Sequence, residues 1–189
     1  MLTYLHIRAI SDTTSKARLH VGHLIYPCVI GRSGRSHLKR EGDGKTPIGF
    51  WRVEPGYFRA DRLRRMAGTC VLRPLRNTDG WCDDPTSGQY NRPVTLPLDR
   101  GHESLWREDG AYDVVFPTDH NQRPRVRNAG SAIFWHLTRA GVGHTAGCVA
   151  VSAGTMQKLL RLSGGNLCLV IWPSQGCLPD ARRKSHYRP

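Results

Sequence analysis

Glycine and proline interrupt this chain so often that long helices have little room to form. The 189 residues include 20 Gly and 12 Pro, scattered between many short apolar runs. Apolar runs of that length bounded by turn formers favour strands. Residues 3–10 and 17–30 alternate or cluster their apolar side chains (Tyr4, Leu5, Ile7, Ile10, then Leu19, Val21, Leu24, Ile25, Val29, Ile30) and read as two or three strands. Pro47 and Gly49 punctuate the entry to another strand ending at Val53, and a turn at Asp109-Gly110 feeds one ending at Phe116. Further strands are expected at 131–136, after Cys148 and at Leu167–Trp172. Only Gly154–Leu162 has helical period, with Ser152 as its N-cap and Gly164-Gly165 as its stop. The pattern predicts a mostly β domain with one main C-terminal helix.

One stretch concentrates chemistry. Ser131-Ala-Ile-Phe-Trp-His136 is an apolar run ending on a histidine, which is how a buried strand delivers a side chain to a site. Twelve residues on, Cys148 follows Gly147 and opens a second apolar run. Cysteine is a nucleophile as thiolate, so an imidazole that accepts its proton is the partner it needs. The N–H groups of Gly147 and Cys148 are candidate donors to a developing oxyanion. The plain alternative is a satisfied histidine at a strand end beside a packed thiol. A metal site of His136, His144 and Cys148 lacks a fourth ligand, so no metal or other cofactor is expected.

The formal net charge of +13 implies polyanionic surroundings: nucleic acid, an anionic membrane face, or cell-wall polymer. The Arg-dense run 57–76 lacks the interleaved aromatics of a base-stacking surface, and a solvated basic face or a rim that attracts carboxylates is the better reading. Cys28 and Cys168 sit in apolar runs as core thiols, and Cys70, Cys82 and Cys177 are the candidates for a disulfide. The Gly-rich loop Gly31–Gly49 has no strand–loop–helix context for a phosphate cradle. Residues 77–92 hold Trp81, Asp83, Asp84, Tyr90 and Arg92. They suit an amine or a metal, or equally a side-chain-capped turn before Pro85 with Trp81 packed inward. No run approaches the roughly 20 apolar residues of a membrane-spanning helix, and no signal peptide is visible at the start.

Ile133-Phe-Trp-His136 with Thr145-Ala-Gly-Cys-Val149 resembles the active-site pattern of the L,D-transpeptidase catalytic domain family (YkuD-like, also ErfK/YbiS/YcfS/YnhG). Thr46-Pro-Ile-Gly-Phe50 resembles that family's Thr-Pro-x-Gly-x-Phe segment. Gly80-Trp-Cys-Asp-Asp-Pro85, Tyr90-Asn-Arg92 and Tyr112-Asp113 resemble a compact proteobacterial subgroup. The likeness covers roughly residues 5–173. It departs from the family at Ala146, which stands where His is common, at Ala150, where Arg or Asn is common, and at Leu137, where Gly is common. His144 lies four before the Cys, where the family has no imidazole.

The resemblance implies a β-sandwich-like fold with an inserted loop-rich segment at 57–116, a catalytic domain over 1–175 and a basic tail over 176–189. It implies Cys148 as nucleophile, His136 as base and Gly147 as an oxyanion donor, with Thr145 in the Ser/Thr place. Tyr90, Arg92, Trp81, His144 and Asp83 or Asp84 are expected to line the substrate cleft. The substrate implied is the peptidoglycan stem peptide: a thioester forms at meso-diaminopimelate and passes to an acceptor amine, giving a 3-3 or 1-3 cross-link. A related thiol hydrolase, or a basic nucleic-acid-binding module, are the competing readings. The protein is expected in the periplasm or cell envelope, as a monomer, without nucleic acid and without a membrane span.

Overall fold

The computed structural model describes residues 2–11, 13–64, 68 and 70–174. Its strands are β1 (Leu2–Ala9), β2 (Lys16–Val21), β3 (Leu24–Val29), β4 (Arg35–Ser36), β5 (Thr46–Pro47), β6 (Gly49–Arg52), β7 (Gly56–Phe58) and β8 (Leu72–Pro74). There follow β9 (Asp79–Cys82), β10 (Arg92–Thr95), β11 (His102–Ser104), β12 (Val114–Pro117), β13 (Phe134–Leu137) and β14 (Val149–Val151). Helix α1 (Ala153–Leu162) and β15 (Ser163–Ile171) complete the order. The protein is mostly β with one helix among the described residues, and its main sheet is large, mixed and curled.

That sheet has ten strands in the order β6-β15-β1-β2-β3-β14-β13-β12-β7-β8. The curl is forced by the chain. Strands β6 and β7 lie first and ninth in the order, yet only residues 53–55 connect them. A flat sheet would separate them by roughly 40 Å, whereas so short a link reaches about 14 Å. The sheet therefore bends until its ends approach, and Val53 bridges Thr118 across the gap. β9, β10 and β11 form a separate three-stranded sheet, so residues 57–116 contribute both to the main sheet, through β7, β8 and β12, and to a small one beside it.

The alternation seen in residues 17–30 is a β2–β3 hairpin, with Gly22 at φ +55° taking the left-handed turn position. Leu5, Ile7, Leu19, Ile30, Phe116, Trp135, Leu159 and Leu169 close the larger buried cluster. Helix α1 starts where the sequence says it should. Ser152 accepts from the Thr155 N–H at 3.2 Å, and Met156, Leu159 and Leu160 bury its apolar face. Removing that cap with Ser152→Ala is expected to lower stability by about 1 kcal/mol in urea unfolding.

The end of the helix differs from expectation. Gly164 and Gly165 are not a stop; they lie inside β15, which begins directly at Ser163. Ser163 caps the helix in an extended conformation (φ −82°, ψ 148°), its N–H bonded to Leu159 O. Pairing with β1 and β6 overrides the breaking tendency of the glycine pair. The disulfide candidates also resolve: Cys70 and Cys82 are free thiols, Cys70 lying 3.8 Å from the Ser163 hydroxyl. Cys177 and the tail 176–189 lie outside the described residues.

Three arginines of the Arg-dense run are committed to carboxylates. Arg59 is buried, pairs with Asp61 and stacks 3.7 Å from the Trp106 ring centroid. Arg62 pairs with Glu108 and Asp113, and Arg73 with Asp79. Arg65 lies outside the described residues.

Candidate active site

β13 sits between β12 and β14, with His136 opposite Val115 on one side and Ala150 on the other. The β13–β14 pairing is parallel, Trp135 to Val149, so the residue just ahead of β14 stands near the start of β13. Cys148 is that residue, and the two side chains reach one cavity of about 230 Å³. The spacing of twelve is thus the length of a parallel crossover, not of a helix.

Both groups are buried and neutral. Cys148 Sγ–H donates to Ala132 O at 3.2 Å, and the Phe134 N–H donates to the sulfur at 3.3 Å. Burial, then the nearby Glu103 carboxylate, pushes the thiol up to about 12. His136 Nδ1 lies 2.8 Å from Leu137 O. A carbonyl can only accept, so the proton sits on Nδ1 and Nε2 carries the free lone pair of a base. Burial lowers the imidazole to about 4, with Arg107 and Arg139 acting in the same direction. Between these values the resting pair is thiol and neutral imidazole. The rate of Cys148 alkylation by iodoacetamide is therefore expected to rise about tenfold per pH unit from pH 7 to 10. A flat profile at neutral pH, measured by peptide mass spectrometry, would show a preformed thiolate–imidazolium pair instead.

The turn before the cysteine is built from its own side chains. Thr145 Oγ1 donates to Cys148 O at 2.7 Å and accepts from the Gly147 N–H at 3.1 Å. In this resting arrangement the Gly147 N–H, expected as an oxyanion donor, is engaged by the Thr145 hydroxyl. Gly147 is required for another reason. Its φ is +149°, and a Cβ there would meet Lys45 O at 2.9 Å.

The cavity wall carries both signs of charge. Arg32, Lys39, Arg107 and Arg139 line it together with Glu41, Asp83 and Glu103. Burial and the neighbouring Glu41 raise Asp83, and burial raises Glu103. Tyr112 packs edge-on against the His136 ring, centroids 5.1 Å apart, and its hydroxyl donates to Glu103 at 2.6 Å. Arg107 reaches Glu103 at 3.3 Å and Asp109 at 2.6 Å, and Arg139 also reaches Asp109. His144 is exposed on the cavity rim. Among the described residues no group of three His, Cys, Asp or Glu is placed to hold a metal ion.

The 77–92 segment divides. Asp83 lines the cavity, while Asp84 accepts from the Thr86 N–H and hydroxyl in a turn and faces Arg100. Arg92 is exposed on the small sheet, outside the lining. Trp81 is buried with its ring edge against Phe134, centroids 5.2 Å apart, and supports the site from behind. Tyr90 is buried and its hydroxyl donates to Glu41. Sequence reasoning missed Lys39, Glu41, Glu103 and Arg107 as cavity residues. The alternation of charge within Glu103–Asp109 is the local signal that marks two of them.

No helix among the described residues is long and apolar enough to cross a membrane. No curated protein matches the chain. A solved structure of Bd1075 from Bdellovibrio bacteriovorus is 15% identical, with a TM-score of 0.44 over 96% of this chain and 52% of that one. The chain thus spans about half the length of that protein. Residues 9–165, which hold both His136 and Cys148, match the family model of the L,D-transpeptidase catalytic domain (YkuD). The chain belongs to the L,D-transpeptidase catalytic domain family.

Proposed function

We propose that the protein is a peptidoglycan L,D-transpeptidase of the cell envelope, working as a monomer with Cys148 as its nucleophile. The observation that carries this reading is the delivery of Cys148 and His136 by adjacent parallel strands to one cavity with both signs of charge on its walls. His136 Nε2 takes the thiol proton as sulfur attacks the carbonyl of meso-diaminopimelate in a tetrapeptide stem. The tetrahedral oxyanion forms beside the Cys148 N–H. Collapse breaks the peptide bond, and the imidazolium returns the proton to the departing D-Ala amine. An amine from a second stem then attacks the thioester, gives up its proton to His136 and releases the thiol with a new peptide bond.

A stem peptide carries carboxylates and an ammonium. Arg32, Arg107 and Arg139 suit the former, and Asp83 with Glu41 the latter, while Thr145, His144, Tyr90 and Trp81 shape the turn, the rim and the wall. Arg92 and Asp84 lie outside the cavity lining, and this reading assigns them no contact with the stem. The test is incubation of wild type with disaccharide-tetrapeptide muropeptides and mass spectrometry of the products. Cross-linked dimers carry the proposal, and fragmentation distinguishes 3-3 from 1-3 bonds. Release of D-Ala or of the stem without dimers replaces it with a thiol hydrolase.

A further inference from the structure

The hydrogen bonds of Asn91 form a clasp that the reaction above does not use. Asn91 is 1% exposed and has a φ of +54°, a left-handed conformation that asparagine tolerates better than most residues. Its Oδ1 accepts from Trp81 Nε1–H at 3.0 Å and from the Ala132 N–H at 3.1 Å. Its Nδ2 donates to His120 O and Asn121 O, each at 3.0 Å. Both donors and both acceptor positions of the amide are filled, so its orientation is fixed.

The clasp closes on Ala132. That residue has a φ of +50°, a left-handed conformation costing a non-glycine residue about 1–2 kcal/mol, which something must offset. Its carbonyl is the acceptor for the Cys148 thiol. The two groups that contact the sulfur are anchored differently. Phe134, whose N–H donates to it, belongs to β13 and is paired in register with Pro117. Ala132 precedes the strand, and its N–H is held by Asn91.

We propose that Asn91 is a positioning residue for the nucleophile, clamping Ala132 so that its carbonyl holds the Cys148 thiol in the protonated resting form. This rests on Cys148 being the nucleophile, though not on which acyl group it takes. The charged groups that bear on the thiol are Glu103, Lys39 and Arg107, and Tyr112 and His136 share the cavity with it. None of them hydrogen-bonds Asn91, so their influence is common to wild type and variant.

The test follows the Cys148 ¹³Cβ resonance from pH 7 to 11 in protein labelled at cysteine. In Asn91→Ala the neutral thiol loses its acceptor and keeps the Phe134 donor. The onset of ionisation is expected to move to lower pH by roughly half a unit or more, the worth of one hydrogen bond. Ala132→Gly with Asn91 intact keeps the wild-type profile. Should Asn91→Ala fail to fold, the double variant Asn91→Ala/Ala132→Gly, whose turn carries no steric cost, takes the same measurement with the same expected shift. A folded Asn91 variant with an unmoved or raised onset overturns the proposal, as does an equal fall in Ala132→Gly alone. The measurement needs no peptidoglycan, so failure of the transpeptidase reading shows in the muropeptide assay and not here.

Discussion

Cys148→Ala is expected to abolish cross-linking of muropeptides, with product falling at least about 10³-fold in mass-spectrometric assays. The chemistry leaves no substitute. Cys28 and Cys82 are buried outside the cavity lining, the Thr145 hydroxyl serves the turn and the Tyr112 hydroxyl is held by Glu103. The variant should still fold. It removes one small buried side chain and leaves the Phe134 N–H and Ala132 O without their sulfur partner, a cost of about 1–3 kcal/mol. His136→Asn is expected to lose activity comparably, and the double variant no further, because nucleophile and base act as one unit. Retention of more than a tenth of wild-type cross-linking by a folded Cys148→Ala would place the nucleophile elsewhere.

Acidification from pH 7 to 5 is expected to remove about 4 kcal/mol of stability and lower the melting temperature by about 10 °C. His136 and His120 are both buried, and burial lowers both to about 4 from an unfolded value of 6.5. Their folded values lie below the unfolded one, so the stability they confer is whole above pH 6.5 and is lost as pH falls towards 4. Each costs about 1.4 kcal/mol per unit, or about 2 kcal/mol by pH 5. Glu103 and Asp83, raised by burial, act in the opposite sense and temper the loss as they take up protons. His120 stands outside the cavity, edge-on to Trp51 with centroids 4.6 Å apart. His120→Gln should therefore halve the slope while leaving His136 in place. Equal melting temperatures at pH 7 and 5 would contradict this account.

Periodicity and turn chemistry carried the fold a long way. Alternation marked the β2–β3 hairpin, the apolar run before His136 marked β13, and Ser152 marked the start of α1, because each signal is local. The Gly164-Gly165 pair misled for the opposite reason: a non-local sheet overrides it. Cys148 and His136 were legible through spacing and the family pattern. The charges around them were not, since Glu103 and Arg107 reach the cavity only after β9, β10 and β11 form their own sheet. Nor can sequence show that the Thr145 hydroxyl takes the Gly147 N–H in the resting turn. Asn91 was visible only as one polar residue among several; its four bonds reach into segments ten to forty-one positions away.

β1 and β15, the first and last strands of the main sheet in chain order, are neighbours, with Tyr4 opposite Cys168. β1 precedes every other strand of that sheet along the chain and β15 follows them, so while residues 10–162 are being made one side of β1 has no partner. Leu5 and Ile7, sealed in the finished protein, wait with that open edge for a strand that does not yet exist. Neighbouring nascent chains offer the same strand pattern, and crowded polysomes invite the wrong pairing. Cover over the β1–β2 hairpin until residue 171 is made would keep that edge for its own partner.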